Sequence, residues 1–573
     1  MTPLDDQGNP PTRLTRPDPL ARLGLWTVTH RGWVFGVWAV LIIGLGAAAP
    51  TVFSSLAGAG WQANGSESVA VRDLAQKHFG GNSSAAVQVV VHSESVAITS
   101  PEVQSVVGDI TAIAKSDPRF GEIVGPQPGT TISPDGRTGV VIIGAHANTD
   151  EMVRAVDDHQ KALTELSGNG IEVYPTGASA LWSGFNKANH DAMLKAEMVS
   201  WPVTLAILIV AFGSLVAAGL PLLLTIAGLV ASAGGLVLLN MATPISVWAM
   251  NFAMMFALAL GIDYALFMVS RFRAALTERG SARLAVAETM DTAGKAVLLS
   301  GLTVLVSLSA VLLVPAPAVR TMAVGIMMAV VFVLAATMTL LPSVLAALGP
   351  RLNAVALPWA RHREHRSDAF GRWGHLLHRH PWPFAVVALG ILVALALPVL
   401  GLKVAMPSIA VVGNDSPVRA GYELVAENFG KGAPGALQII APVDEAAAAA
   451  RAASAVPDVA MVTPPQTATD ASGLALIQVI PAVDPSDPAM STILADLRSA
   501  LPADAVVGGA PAENLDLQRA LDDWFPVIVA VILVLGFTLL LIALRAPLIA
   551  LLGTLVSLLS TAAAVSYTHL TLP

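Results

Sequence analysis

The chain has 573 residues, 54% of them hydrophobic and only 13% charged, with a mean hydropathy of +0.67 and a formal charge of −8. A soluble globular domain carries about 25% charged residues, so composition excludes a soluble protein, and the acidic balance gives no ground for a nucleic-acid partner. There is no cysteine, so no disulfide holds any domain together and the thiol content says nothing about compartment.

Residues 1–32 form a polar N-terminus carrying Arg13, Arg16, Arg22 and Arg31. The apolar segment 33–53 follows. It is longer than the 7–15 residues of a signal-peptide core, so it reads as a signal-anchor, although Ala47, Ala48 and Ala49 mimic a cleavage site. A polar domain spans 54–200. In it Ser100-Pro101-Glu102 predicts a helix start, with Ser as N-cap and Pro in the first turn, Thr138 to Ala145 a strand, and Asp150 to Leu166 a helix. Five apolar segments then fill 201–345, at 201–218, 219–240, 247–270, 297–315 and 322–345, each near the ~20 residues that cross a bilayer. Between the third and fourth of these, segment 271–296 sets Ala275, Leu276, Ala282, Leu284, Ala285 and Val286 among charges, which predicts an interfacial amphipathic helix.

Residues 346–381 form a basic linker with Arg351, Arg361, Arg363, Arg366, Arg372 and Arg379. His362, His365, His375, His378 and His380 also crowd it, without the carboxylate or Cys framework of a metal site. A seventh span at 382–402 leads to a second domain, 403–524. There the pattern predicts a helix near 418–429, a strand at 436–441, a helix at 444–453, strands near 458–463 and 473–481, and a helix at 487–500. Strand–helix alternation on this scale predicts small α+β layers of ferredoxin-like kind in both domains. Two last spans, 525–544 and 546–566, flank a turn at Arg545, and 567–573 forms a tail.

Charge fixes the expected orientation. Segment 54–200 holds 16 acidic and 9 basic residues, and 403–523 holds 15 and 6. The short connections are basic instead, and with alternating spans they all fall on one side, as the cytoplasmic side requires. Both α+β domains are then extracytoplasmic. Arg320 is the one exception among the short outer turns.

The chain also repeats itself. At an offset of 350, Arg22-Leu23-Gly24 matches Arg372-Trp373-Gly374, His30 matches His380, Phe79-Gly80 matches Phe429-Gly430 and Gln88 matches Gln438. Further on, Gly177-Ala178 answers Gly509-Ala510 and Pro221 answers Pro547. One span, a domain and five spans make the first half, whereas the second has one span, a domain and two spans. The second half therefore reads as incomplete and the chain as a fragment.

Asp263 is the one carboxylate inside any of the nine apolar segments. An ionised group at the centre of a spanning helix costs about 2.5–3.5 kcal/mol, and such residues normally face a protein interior and serve ion or proton movement. Arg271 lies roughly 12 Å further along the helix, too far for a short side chain to reach water. Tyr264 beside it offers a hydroxyl to the carboxylate or to a water chain. In the next span Ser300, Thr303 and Ser307 share one helix face that could line a proton path, or could bond their own backbone carbonyls. A structural, neutral Asp bonded between helices is the plainer alternative.

Through Gly261-Ile262-Asp263-Tyr264 and Ser270-Arg271-Phe272-Arg273, and at Leu348-Gly349-Pro350-Arg351, the sequence resembles the MmpL family of the resistance–nodulation–division superfamily. The resemblance implies a proton-motive-force-driven exporter of lipids and other amphiphiles across the inner membrane, with twelve spans and two porter-type domains. It implies that Asp263 and Tyr264 form the fourth-span proton relay, facing an equivalent pair on a tenth span. It also leaves open a homo-oligomer or accessory envelope proteins as partners. No phosphate-binding loop and no nucleophile–base set is recognisable, so neither an enzyme nor a cofactor is expected. The rival readings are a drug-efflux pump of the same superfamily, whose outer domains are longer, and a non-transporting receptor or secretion accessory.

Overall fold

The computed structural model of the protein describes residues 18–56, 60–354, 368–401 and 408–571. Its first helix, α1 (Pro19–Thr29), stops at His30, and α2 (Arg31–Gly46) enters the membrane from there. After a short α3 (Val52–Ser55) the chain forms α4 (Glu67–His78), N-capped by Ser66, whose Oγ accepts from the Val69 amide. The first α+β domain continues as β1 (Val87–Ser93), α5 (Pro101–Lys115), β2 (Phe120–Val124), β3 (Thr138–Ala145), α6 (Thr149–Thr164) and β4 (Ile171–Thr176). Ser100 caps α5 and Asn148 caps α6 by accepting from backbone amides, which satisfies helix-end donors. The strand expected at 138–145 is β3 itself.

From β4 the chain passes through Gly177 directly into α7 (Ala178–Phe212), a single helix that starts on the sheet and ends in the apolar bundle. The bundle is completed by α8 (Leu215–Asn240), α9 (Val247–Arg279), α10 (Ala282–Thr289), α11 (Lys295–Ser309), α12 (Pro317–Ala335) and α13 (Leu341–Leu348). π-helical turns join α10 to α11 at Met290–Gly294 and α12 to α13 at Ala336–Leu340. Then come α14 (Asp368–Arg379), α15 (Pro381–Ala396), α16 (Pro417–Phe429), β5 (Leu437–Pro442), α17 (Val443–Ser454), β6 (Val459–Val462), the two-residue β7 (Gln466–Thr467), β8 (Leu474–Pro481), α18 (Met490–Ala500), β9 (Val506–Gly508), α19 (Ala510–Leu544) and α20 (Pro547–Thr571). Among the described residues, nine helical segments are long and apolar enough to cross a membrane.

Two expectations are corrected. The boundary placed between 218 and 219 lies at Gly213 and Ser214. Gly213 adopts a left-handed conformation that ends α7, and the Ser214 side chain accepts from the Ala217 amide to start α8. Segment 271–296 is not one helix. Its first part extends α9 to Arg279, Gly280 reverses the chain at φ +64°, and α10 is packed with Ala285, Val286 and Met290 buried against protein. The tail at 567–573 continues α20 as far as Thr571. Of the linker, 355–367 with His362 and His365 lies outside the described residues.

Both sheets are antiparallel, with strand orders β2-β3-β1-β4 and β6-β8-β5-β9. In the first, Val89 pairs with Val141 and with Pro175; in the second, Ile439 pairs with Ile477 and with Val507. One face of each sheet is covered by its own helices. Val89, Val91 and Val141 pack with Ile110, Met152 and Val156, while Leu437, Ile439 and Ile477 pack with Ala449, Leu494 and Leu497. The opposite face is covered by a helix from the other half. Val425 of α16 packs on Val90 and Val140, and Val71, Ala75 and Phe79 of α4 pack on Ile440 and Leu476. Burial on both faces explains why the strands read as near-continuous apolar runs rather than alternating ones.

The internal repeat is visible in one backbone detail. Gly177 and Gly509 precede α7 and α19 at φ +88° and +101°, and a Cβ on either would press on the equivalent strand atoms. It would lie 3.1 Å from the Ala86 carbonyl oxygen in the first half and 2.7 Å from that of Ala436 in the second. Gly509→Ala is therefore expected to destabilise the protein by about 1–3 kcal/mol through backbone strain. Gly536→Ala, a position with open space around it, should not destabilise it, and thermal denaturation of the purified variants separates the two.

Candidate functional site

Asp263 stands at the midpoint of α9, sixteen residues from each end, which places it about 24 Å from either terminus of the helix. On one side of it Gly261 lets α9 approach α8 closely. A Cβ there would collide with the Thr225 hydroxyl, which is itself buried and donates to the Pro221 carbonyl at 2.9 Å. On another side Ala265, Met268 and Val269 are fully buried. Asp263 itself lies on the remaining side, an exposed stripe that recurs every four residues through Met255, Ala259, Asp263 and Phe267. Within the described residues the carboxylate thus faces away from the packed sides of α9.

Tyr264 turns the other way. It is 3% exposed, and its hydroxyl stands 3.4 Å from the Ser300 hydroxyl of α11, at the long limit of a hydrogen bond. The structure therefore brings Tyr264 and Ser300 together across two helices. It does not bring Thr303 to the same purpose, because that hydroxyl donates to its own helix at the Leu299 carbonyl, 2.8 Å away. Ser307 is half-buried about 10 Å further along α11.

A second candidate lies between the two α+β domains. A cavity of about 640 Å³, within the usual size of a small-molecule site, is walled by residues of both halves. Its apolar wall holds Trp61, Trp182 and Phe185, with Trp61 stacked parallel to Trp182 at 6.1 Å and Trp182 edge-on to Phe185 at 5.7 Å. Trp248 meets Trp61 at a right angle and donates its indole N–H to Asn186 at 3.2 Å, tying the cavity to the start of α9. The lining also includes α16 and the first turns of α19, with Tyr422, Glu513, Gln518 and Asp522. Burial pushes the Tyr422 phenol above its ordinary range, and its hydrogen bond to Asp484 at 2.8 Å adds to this, so it remains a neutral donor.

Under this wall the halves are joined by a charged network. Arg72 of α4 donates to Glu513 at 2.7 Å with only 8% of its side chain exposed, and Ser84 donates to the same carboxylate. Ser68 donates to Asp516 at 2.7 Å, and Arg498 of α18 grips both oxygens of Asp516 at 2.8 Å. Glu67 completes the set, 3.0 Å from Arg498 and accepting from the Val507 amide at 2.6 Å. The Asp516 carboxylate holds the Arg498 guanidinium above its ordinary pKa against the opposing effect of burial. Sequence inspection missed the cavity and this network. Their partners lie hundreds of residues apart, and the available signal was faint: carboxylates in the opening turns of a helix that becomes a span.

A profile of the MMPL family matches residues 60–386, more than half of the chain. This protein belongs to the MMPL family. The chain is 30% identical over 543 residues to the Heme uptake protein MmpL11 of Mycobacterium tuberculosis, covering 90% of this chain and 56% of that relative. It is 29% identical to the Mycolic acid-containing lipids exporter MmpL11 of Mycolicibacterium smegmatis, covering 92% and 58%. It is 28% identical to the Membrane protein YdfJ of Bacillus subtilis, covering 92% and 73%. This MMPL chain spans about half the length of the first two relatives. It is a multi-pass protein of the plasma membrane, and nine helices among its described residues are long and apolar enough to cross one.

The buried pair in this MMPL chain predicts an asymmetric mutational response. Arg72→Met strands Glu513 as an unpaired buried charge and should cost about 3–5 kcal/mol. Combining it with Glu513→Met should recover most of that loss, because two apolar groups can replace a buried ion pair. Chemical denaturation of the single and double variants reads the difference.

Proposed function

We propose that this protein is a proton-motive-force-driven exporter of lipids or related amphiphiles, with Asp263 and Tyr264 as its proton relay. The observation that carries the reading is a lone carboxylate at the midpoint of a membrane-length helix, beside a buried tyrosine whose hydroxyl reaches the neighbouring span. A carboxyl there can be loaded and unloaded only by a proton that enters the membrane, and its exposed side is free to meet an acceptor on another helix. One proton moving through 100 mV supplies about 2.3 kcal/mol, enough to bias a conformational equilibrium roughly fifty-fold at 1.4 kcal/mol per decade. The βαββαβ order of the first domain, matched in the second apart from the added two-residue β7, supports a ferredoxin-like, porter-type assignment. The cavity between them is the natural substrate site, since it joins an aromatic wall to a polar one. The lipid-exporter name of one relative supports the same substrate class.

Asp263→Asn should abolish proton-gradient-dependent lipid export in membrane vesicles while leaving the amount of inserted protein unchanged. The amide matches the carboxyl in shape and cannot cycle a proton. Tyr264→Phe should slow export less severely if water takes the hydroxyl's place. Undiminished export by Asp263→Asn would make the residue structural.

The basic connections place the α+β domains outside the cytoplasm in this reading. Because the chain has no native cysteine, single-cysteine labelling is clean. A membrane-impermeant thiol reagent on intact cells should label Asp109→Cys and spare His365→Cys; the reverse pattern would invert the topology.

A further inference from the structure

The walls of the cavity restrict the headgroup it can hold. Two of its lining residues are cationic, Arg72 and Arg519, and both belong to the charged network beneath it. Arg72 is spent on Glu513 at 2.7 Å. Arg519 leans on Asp516 at 3.6 Å, the carboxylate that Arg498 already holds. Asp73 also stands 3.7 Å from Arg72, so the four carboxylates of Glu67, Asp73, Glu513 and Asp516 outnumber the three guanidinium groups of Arg72, Arg498 and Arg519. What remains on the cavity wall is acidic. Among the described residues Asp522 has no ion pair, and the Asp487 carboxylate accepts only from the Ala489 amide at 2.9 Å.

We propose that this cavity selects against anionic headgroups and admits neutral or cationic amphiphiles; the proposal rests on the cavity being the substrate site. An anionic headgroup entering it would lose its water to reach arginines already outnumbered by carboxylates, and would meet Asp487 and Asp522 on the cavity lining. A neutral headgroup meets donors and acceptors instead. Asn514 and the Tyr422 oxygen, whose hydrogen is given to Asp484, are among its polar lining groups, while Trp61, Trp182 and Phe185 receive the acyl portion. A cationic headgroup would additionally gain the field of Asp487 and Asp522.

Three photoactivatable lipids with identical acyl chains test this on the protein in its own membrane: a diacylglycerol, its trimethylammonium analogue and its phosphate, phosphatidic acid. Cross-links are mapped by mass spectrometry. The diacylglycerol and the trimethylammonium lipid should label the segments containing Trp61, Trp182 or Phe185 at least about tenfold more than phosphatidic acid does, a difference of about 1.4 kcal/mol. Asp522→Lys should raise labelling by phosphatidic acid and lower labelling by the cationic lipid. Equal labelling by all three lipids would overturn the headgroup selection and leave the substrate cavity standing. Absence of cavity labelling by every lipid would overturn the substrate-site reading itself. If the wild-type preference holds but Asp522→Lys leaves it unchanged, the assignment of the acidic wall to Asp522 is wrong.

Discussion

Each sheet in this protein has two apolar faces and only enough helices of its own to cover one. That shortage is the constraint on which the rest of the fold depends. α4 crosses to the second sheet and α16 crosses to the first, so neither domain has a complete core alone. At about 25 cal/mol per Å² of apolar surface removed from water, a buried Val or Phe on either helix contributes on the order of 1.5–3 kcal/mol to the union of the halves. The exchange also sets register. Gly421 brings α16 within contact of the Pro175 carbonyl, and Gly508 receives Val71, so side chains larger than hydrogen at either glycine would hold the helices away. The cavity is a by-product of this geometry, being the space left where two domains share helices without fusing their sheets.

The charged network has a different logic. Buried ion pairs are weak contributors to net stability but strict about geometry. Arg72, Glu513, Asp516 and Arg498 sit where α4 of one half meets α19 of the other, and the apolar contacts there are few. The pairs fix how the exchanged helix is seated, which hydrophobic burial alone does not specify. On the far side of the bundle a parallel arrangement holds α1. Its Gly24 and Thr27 are buried against α10, the first π-helical turn and α13, while Asp18 pairs with Lys295. The helix preceding the first span is therefore part of the packed bundle rather than a loose leader.

Much of the fold was legible because it is written in short range. Runs of about twenty apolar residues define the spans, caps at Ser100 and Asn148 mark helix starts, and the strand at 138–145 appears where the pattern places it. The break between the second and third spans was also written locally, as Gly213-Ser214, but it was hidden within forty nearly unbroken apolar residues. Segment 271–296 misled for a physical reason. Apolar residues interleaved with charges look the same whether the apolar face meets lipid or, as at Val286 and Met290, the flank of another helix. Asp263 was identifiable as an outlier of composition, but the direction it faces was not, because that depends on which neighbours fill the other sides of α9. The cavity and the helix exchange rest on contacts between residues separated by hundreds of positions, and nothing local in the sequence marks those.

The two helices that carry the chain from sheet to membrane, α7 and α19, are each 35 residues long. At 1.5 Å per residue each is a rod of about 52 Å. Their first turns, at Ser179 and Trp182 on one and at Glu513 on the other, are walls of the cavity, while the far end of α7 lies in the apolar bundle and that of α19 runs beside α20 and α11. A rod of that length is a lever: a one-degree tilt about its embedded end swings its tip by about 0.9 Å. Each has one proline in its interior, Pro202 and Pro526, where a missing amide lets the lever flex. Rearrangements of a few degrees among the bundle helices would change the width of the cavity by several ångströms, with no refolding of either sheet.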